Sequence, residues 1–163
     1  DINLERLRQI DLMFHGKIHT RASSHGSISD AIKKADCVIG AVLVPGKRAP
    51  IVVDENMVKT MMPGSIIVDT AIDQGGCIET SHETTHAEPT FTLHNVLHYC
   101  VGNMPGSVPH TSTYALTNAT LPFIVAIATL GSDGAIKLKP GLDQGLNTHG
   151  GLVVNEVVKA TLV

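Results

Sequence analysis

The sequence has few of the features that mark a nucleic-acid-binding or membrane protein. Aromatic residues make up 3% of its 163 residues, and 12 scattered lysines and arginines are outnumbered by 15 aspartates and glutamates. It therefore lacks both stacking platforms and a basic stripe, and we expect no nucleic-acid partner. No run of about 18 uninterrupted apolar residues occurs and the N-terminus is polar, so we expect no membrane span, membrane partner or signal peptide.

Cysteine is also scarce. Cys37, Cys77 and Cys100 are too few and too far apart for a disulfide framework or a zinc cluster, which indicates a reduced, cytoplasmic compartment. Cys77 and Cys100 are interpreted either as nucleophiles or as small buried hydrophobic side chains, and the sequence favours the second.

The nine histidines include two pairs spaced by four residues, His82 with His86 and His94 with His98. The first pair lies in a polar segment and the second spans a predicted strand and turn, so neither pair shares a helix face. A zinc site needs a further ligand on a structured element. Solvated or hydrogen-bonded histidines are therefore favoured over a metal site, and we predict none.

Two apolar, β-branched segments predict buried parallel strands. One runs from Cys37 to Val44 and stops at Pro45-Gly46; the other starts at Ser65 and leads through Asp69 to Asp73, just before paired glycines. In open α/β sheets, ligands bind beyond the carboxyl ends of the strands. Asp73 thus stands where a cofactor or substrate would lie, or else caps a turn. We expect Asp69 to be a structural carboxylate satisfied by backbone donors.

Helical patterns alternate with these strands. Asn3 can cap a helix that ends at Gly16, and Asp54 can cap one that runs to Met61. A further strand over Lys17–Thr20 and a helix opening at Ser27 complete the alternation. This rhythm predicts an α/β fold with a parallel sheet covered on both faces.

The sequence after Gly76 changes in character. The polar segment Glu79–Pro89 predicts a loop over the carboxyl edge of the sheet. The remaining predicted elements are strands over Thr90–Leu93 and Val96–Val101, a long helix from about Ser112 kinked at Pro122, and helical pieces over Gly134–Leu138 and Leu152–Leu162.

A doubly wound dinucleotide-binding sheet also needs a first strand followed by a G-x-G-x-x-G turn, and the sequence contains no such turn. In such folds an acidic residue about 20 residues further on receives the ribose hydroxyls. Asp1, just before the first helix, is either that carboxylate, in a fold without its first half, or an ordinary charged residue.

Four ordered blocks carry a resemblance that covers the chain almost end to end: Gly40–Gly46, Val68–Cys77, Tyr99–Pro109 and Thr111–Pro122. They resemble the C-terminal half of the L-alanine dehydrogenase family. The NAD(H)-binding component of proton-translocating transhydrogenase shares that fold, but the Asp-Gln-Gly-Gly-Cys and Asn-Met-Pro-Gly blocks fit alanine dehydrogenase better.

The resemblance implies a Rossmann-type doubly wound parallel sheet, truncated at its N-terminus. Residues 1–108 would be the second part of the NAD-binding domain, and residues 109–163 would be C-terminal helices that return to the substrate domain. The implied activity is the reversible, NAD-dependent oxidative deamination of L-alanine to pyruvate and ammonium. Because a sheet without its first strands exposes the edge of the strand from Cys37, we expect a homo-oligomer.

The resemblance also implies site residues. Asp73 would be the catalytic carboxylate beside the nicotinamide. At the adenosine end of NAD, Asp1 would be the acid for the ribose hydroxyls, and Ser23 and Arg6 would be further contacts. Val42 and Leu43 would form an apolar wall under the cofactor, Thr70 and Ala71 would line the nicotinamide pocket, and Val101, Asn103 and Met104 would form the closing loop. Family members more often carry an aliphatic residue at the Thr70 position. In the family, the catalytic histidine and the basic residues that hold the substrate carboxylate lie in the N-terminal domain.

Two alternative functions remain open. The chain could be a fragment of the NAD(H)-binding transhydrogenase component, which passes hydride between nucleotides and needs no amino acid. It could also be a non-catalytic, truncated module that only assembles with homologous subunits. We expect the chain by itself to be inactive towards alanine.

Overall fold

The computed structural model describes residues 1–161, which form two compact units. The first unit comprises Asp1–Leu43 and Arg48–Gly102, and the second comprises Val44–Lys47 and the chain from Asn103 onwards.

A four-stranded sheet organises the first unit. Its strands are β1 (Cys37–Gly40), β2 (Ile66–Asp69), β3 (Thr90–Leu93) and β4 (Val96–Tyr99), in the spatial order β1-β2-β4-β3. The pairs β1/β2 and β2/β4 are parallel, as predicted for an α/β fold, whereas β3 runs antiparallel to β4. His94 and Asn95 make the turn between β3 and β4 with φ values of 54° and 61°, as a two-residue hairpin turn with left-handed backbone requires.

Three helices of this unit begin at side-chain caps. They are α1 (Leu4–Phe14), α2 (His25–Ile32) and α3 (Glu55–Val58). Asn3 and Asp54 accept hydrogen bonds from backbone N–H groups as predicted, at 3.0 and 2.8 Å. Ser24, rather than Ser27, is the cap residue of α2, and the two serines form a reciprocal capping box. The third helix is shorter than predicted, because i→i+3 bonds replace helical bonds after Val58.

Side chains alternate between a buried and an exposed face of the sheet. Ile67 and His98 are fully buried and pack on the side of the core formed by α2, α3 and the loops around them. On the opposite face Ile39 is 66% exposed and Ile66 is 38% exposed. The prediction of fully buried strands covered on both faces is therefore wrong for the described chain, which covers one face.

Two strand predictions need correction. The strand from Cys37 ends at Gly40 instead of Val44, since residues 41–44 leave the sheet to form a loop. Lys17–Thr20 forms no strand, because it pairs with no strand of residues 1–161 and an extended segment without a partner makes no ladder. The outer edge of β1 is consequently unpaired within the described residues.

The second unit contains α4 (Pro109–Leu138), a two-stranded sheet of β5 (Thr148–His149) and β6 (Leu152–Val153), and α5 (Glu156–Thr161). The interruption of helical geometry expected at Pro122 lies at Gly131 instead, where φ is 70° and ψ is 176°. The predicted helix over Leu152–Leu162 is wrong in its first part, which is strand, and Leu162 lies outside the described residues.

Helix α4 is the one helix among the described residues that is long and apolar enough to cross a membrane, judged by length and composition only. Only 11% of its apolar window is buried. The expectation that the chain has no membrane span stays a prediction.

Candidate functional site

A cavity of about 230 Å³ lies where β1 and β2 end. We call it the strand-end cavity; its lining residues are Ala41, Val42, Leu43, Thr70, Ala71, Asp73 and Gln74. It therefore brings together five of the residues predicted to form the site: Val42, Leu43, Thr70, Ala71 and Asp73. The two loops that form it both follow parallel strands, which places them at the edge where open α/β sheets bind ligands.

The two loops are tied together at their origin by Thr70. Its backbone N–H and its hydroxyl both donate to the carbonyl of Gly40, at 2.8 and 2.7 Å. Gly40 ends β1 and Thr70 follows β2, so these bonds extend the pairing of the strands into the loops. The two loops that line the strand-end cavity are thus joined at their bases by two hydrogen bonds to one carbonyl oxygen.

Asp69 is fully buried below the cavity. Its carboxylate accepts hydrogen bonds from the backbone N–H groups of Ala71, Cys77 and Ile78, at 3.1, 2.9 and 3.1 Å. The prediction of a structural carboxylate satisfied by backbone donors is confirmed. Because its donors lie on both sides of Asp73, Asp69 closes the loop that carries that residue.

Cys77 packs against Asp69 and Gly40, the last residues of β2 and β1. Its Sγ is 3.4 Å from Oδ1 of Asp69, and a Cβ atom on Gly40 would lie only 2.6 Å from it. Burial, and next the Asp69 charge, raise the pKa of the Cys77 thiol to about 11. Burial likewise raises the pKa of Cys100. Both thiols are fully buried and protonated at neutral pH, which confirms the interpretation as small buried side chains.

Asp73 contrasts with Asp69 in its surroundings. It lies exposed in the 3₁₀ turn Ile72–Gln74, and backbone N–H groups of the two following glycines close that turn onto Ile72 and Ala71. Gly75 adopts a φ of 90°, a left-handed conformation that suits glycine. The turn presents the Asp73 carboxylate at the wall of the strand-end cavity.

Gln74 also lines the cavity, and sequence reasoning missed it. Its side-chain Oε1 is buried and has no hydrogen-bond partner in the described part of the chain. A buried acceptor of this kind is costly unless a donor reaches it. The sequence signal that could have identified it is its position beside Asp73, in the segment that follows the same strand.

A second cavity, of about 640 Å³, lies along the unpaired edge of β1, and we call it the edge cavity. Asp1 and Ser23 both line it, and the Ser23 backbone N–H donates to the Asp1 carbonyl at 2.9 Å. The structure thus brings these two predicted residues together. Arg6 lies on the exposed surface of α1 with Nη1 3.4 Å from Oε1 of Gln9, and it lines neither cavity.

The other predicted cofactor residues follow β4. Val101 is fully buried and forms a bridge with Thr84 in the first unit. Asn103 and Met104 belong to the second unit, where Asn103 has a φ of 50° and precedes the 3₁₀ helix Met104–Ser107.

His98 lies on β4, is fully buried and lines neither of the two cavities. Its Nδ1 faces the Val96 carbonyl at 3.0 Å, its Nε2 faces the Thr80 hydroxyl at 2.8 Å, and its ring stacks on Phe91. Nδ1 therefore carries the proton of a neutral ring, and Nε2 accepts from Thr80. Burial lowers the pKa of His98. Residues 1–161 hold no group of three or more His, Cys, Asp or Glu side chains that could bind a metal ion.

Comparisons with known proteins agree with one another. The family described as "Alanine dehydrogenase/PNT, C-terminal domain" matches residues 1–156. Alanine dehydrogenase of Mycobacterium tuberculosis is 53% identical over 162 residues, which cover 99% of this chain and 44% of that protein. Alanine dehydrogenase of Bacillus subtilis is 52% identical over 163 residues, which cover 99% of this chain and 43% of that protein.

Solved structures give the same result. An L-alanine dehydrogenase superposes with a TM-score of 0.85 at 45% identity, over 99% of this chain and 45% of that one. A transhydrogenase from Sinorhizobium meliloti superposes with a TM-score of 0.69 at 23% identity, over 95% of this chain and 41% of that one, a likeness that shows the fold alone. The chain spans less than half the length of the curated relatives it matches.

Proposed function

Because this chain belongs to the alanine dehydrogenase/PNT C-terminal domain family, we propose that it supplies the nucleotide-binding part of an NAD-dependent L-alanine dehydrogenase. Such an enzyme converts L-alanine, NAD and water reversibly to pyruvate, ammonium and NADH. The observation that carries the proposal is the strand-end cavity, which joins Asp73 to an apolar wall at the edge of the sheet where dinucleotide-binding folds hold their ligand.

The chemistry of the strand-end cavity fits a nicotinamide nucleotide. Val42 and Leu43 offer an apolar wall for a flat ring, and Gln74 adds an amide side chain to the lining. NAD bound there would supply the hydride acceptor for the reaction. The chain's own contribution is to orient the reactants and to exclude water from one side of them.

Asp73 is the residue that we assign to the chemistry itself. Loss of hydride from an amine leaves a cationic imine, to which water then adds. A carboxylate at the cavity wall stabilises that positive charge and orients a partner base. The buried Asp69 cannot do this, because its oxygens are committed to three backbone donors.

We assign the adenosine end of NAD to the edge cavity. Asp1 is the acid for the ribose hydroxyls and Ser23 a polar contact, since both line this cavity and are joined by a hydrogen bond. Arg6 would complete this end, and Val101, Asn103 and Met104 would provide the loop over the nicotinamide ribose.

The remaining proposals concern the substrates, the cellular location, the assembly and the partners. We propose L-alanine and pyruvate as substrates, a cytoplasmic location, a homo-oligomeric assembly, and no nucleic-acid or membrane partner. The transhydrogenase alternative has the weaker support, since its solved structure resembles this chain at 23% identity and therefore in fold alone. A non-catalytic assembly module is the second alternative, in which Asp73 would serve only the turn that it lies in.

A fusion protein tests the proposed function. This chain is joined to the N-terminal part of the Mycobacterium tuberculosis alanine dehydrogenase that it does not match, and NADH formation is followed after addition of L-alanine. We expect alanine-dependent NADH formation, which Asp73→Asn strongly reduces. A folded fusion protein that binds NAD yet oxidises no alanine contradicts the proposal, and hydride transfer between nucleotides by that protein supports the alternative.

A further inference from the structure

We propose that Asp69 and Cys77 act together as positioning residues that hold the two walls of the strand-end cavity in register. One wall is the loop after β1, which carries Val42, and the other is the loop after β2, which carries Asp73. The catalytic consequence rests on the function proposed above, whereas the linkage between the walls does not.

The loop after β2 is gathered onto one carboxylate. Asp69 receives N–H bonds from Ala71, just before the Asp73 turn, and from Cys77 and Ile78, just after it. Hydrogen bonds to a charged acceptor are about twice as strong as those between neutral groups. The segment that bears Asp73 is therefore anchored at both ends to the last residue of β2.

Cys77 extends this anchor to the opposite wall. Its S–H donates to Oδ1 of Asp69 at 3.4 Å, and its sulfur packs against the backbone of Gly40, where the opposite wall begins. The raised pKa of Cys77 keeps the thiol protonated, so that it can donate this bond. A continuous chain of contacts thus runs from Gly40 through Cys77 and Asp69 to Ala71.

The packing around this pair leaves no room for it to move. A Cβ atom on Gly40 would lie 2.6 Å from Sγ of Cys77 and 3.2 Å from Oδ1 of Asp69. Only glycine at the end of β1 allows the thiol to approach the backbone this closely. The sulfur therefore fills the space between the two strand ends and bonds to Asp69.

Kinetics separate positioning from stability. In the fusion protein, Cys77→Ala removes the sulfur and its bond to Asp69, and Cys77→Ser restores a donor at the same position. The matched control is Cys100→Ala, which deletes an equally buried thiol that does not bridge the two walls. Since small displacements of bound reactants are costly, we expect Cys77→Ala to lower kcat/KM for NAD roughly tenfold relative to Cys100→Ala, and Cys77→Ser to recover most of that loss.

Hydrogen exchange tests the linkage without any enzymatic activity. In the full 163-residue chain, we expect the Thr70 amide, which donates to the Gly40 carbonyl across the two walls, to exchange faster in Cys77→Ala than in the wild type, and to regain protection in Cys77→Ser. Cys100→Ala should leave it unchanged. If the wild-type fusion protein is inactive, the proposed function fails while this measurement still decides the linkage. Equal Thr70 exchange in Cys77→Ala and the wild type, or equal kinetics in Cys77→Ala and Cys100→Ala, overturns the inference.

Discussion

Asp69 and Asp73 lie four residues apart in sequence and have opposite surroundings. Asp69 is fully buried and bonded to three backbone N–H groups, whereas Asp73 is exposed at the wall of the strand-end cavity. Loss of charge should therefore have different effects at the two positions: on stability first at Asp69, and on chemistry at Asp73.

The first prediction concerns Asp73→Asn in the fusion protein. The substitution keeps the size of the side chain and removes its charge, so NAD binding should persist while turnover falls by roughly 10² or more. Steady-state kinetics together with a direct NAD-binding titration measure both quantities. A variant with normal turnover would reduce Asp73 to a residue of the turn.

The second prediction concerns the pH dependence of stability. The pKa of His98 is lowered from its ordinary 6.5, mainly by burial, so between the folded and unfolded pKa values the unfolded chain binds more protons. The His98 contribution is fully present above about pH 6.5 and is lost as the pH falls below that value. Because the chain has no tryptophan, urea unfolding should be followed by circular dichroism.

His98→Gln provides the control for this prediction. Its amide can still bond to Thr80 or Val96, but it does not titrate in this range. The variant should lose less stability than the wild type between about pH 7 and 5. An identical loss in both proteins would assign the acid sensitivity to other groups.

At the level of single residues, the sequence predicts which residues lie at the end of a strand, but it does not predict the contacts between strands. Asp73 was found because a β-branched run stops just before it and glycines follow it. The bridging position of Cys77 is not predictable from the sequence, because its neighbours Asp69 and Gly40 belong to different strands. Only the tertiary register of β1 and β2 brings the three together.

Among the elements, helix starts were more predictable than helix ends and strand partners. Asn3 and Asp54 cap their helices through local hydrogen bonds that a sequence shows directly. The exposed face of the sheet was not predictable. Apolar residues on both faces of a strand predict that both faces are buried, but a face is buried only where another element covers it. Ile39 and Ile66 are apolar and nevertheless exposed in the described chain.

The third prediction concerns the break in α4. Gly131 has a φ of 70° and a ψ of 176°, a region that is essentially restricted to glycine. Gly131→Ala should therefore lower the free energy of unfolding by about 1–3 kcal/mol. The control is Gly145→Ala, because an added Cβ there meets no atom within 4 Å and its φ is not positive. Equal stability of the two variants would show that the break does not depend on glycine.

For the molecule as a whole, the fourth prediction is that the 163-residue chain alone oxidises no alanine. The chain supplies the strand-end cavity without the substrate clamps that the resemblance places in the N-terminal domain. Loss of that orientation costs on the order of 7–11 kcal/mol. Alanine-dependent NADH formation by the purified chain would contradict this prediction, and the active fusion protein serves as its positive control.

The fifth prediction is that the chain self-associates. The outer edge of β1 has no partner in residues 1–161, and Ile39 beside it is 66% exposed. Unpaired edges with apolar side chains seek partners. Light scattering should therefore give a mass above that of one chain, and Ile39→Lys should reduce it. Leu12→Lys, on exposed α1, is the control. A stable, folded monomer would refute the prediction.

The two hydrogen bonds from Thr70 to the carbonyl of Gly40 have a practical consequence for ligand discovery. A ligand that needs the two loops further apart must break both bonds at once, whereas a thin, flat molecule leaves them intact. The free protein should therefore already present the shape that such a molecule meets. Crystals grown without ligand and soaked with planar fragments would then be a direct route to inhibitors.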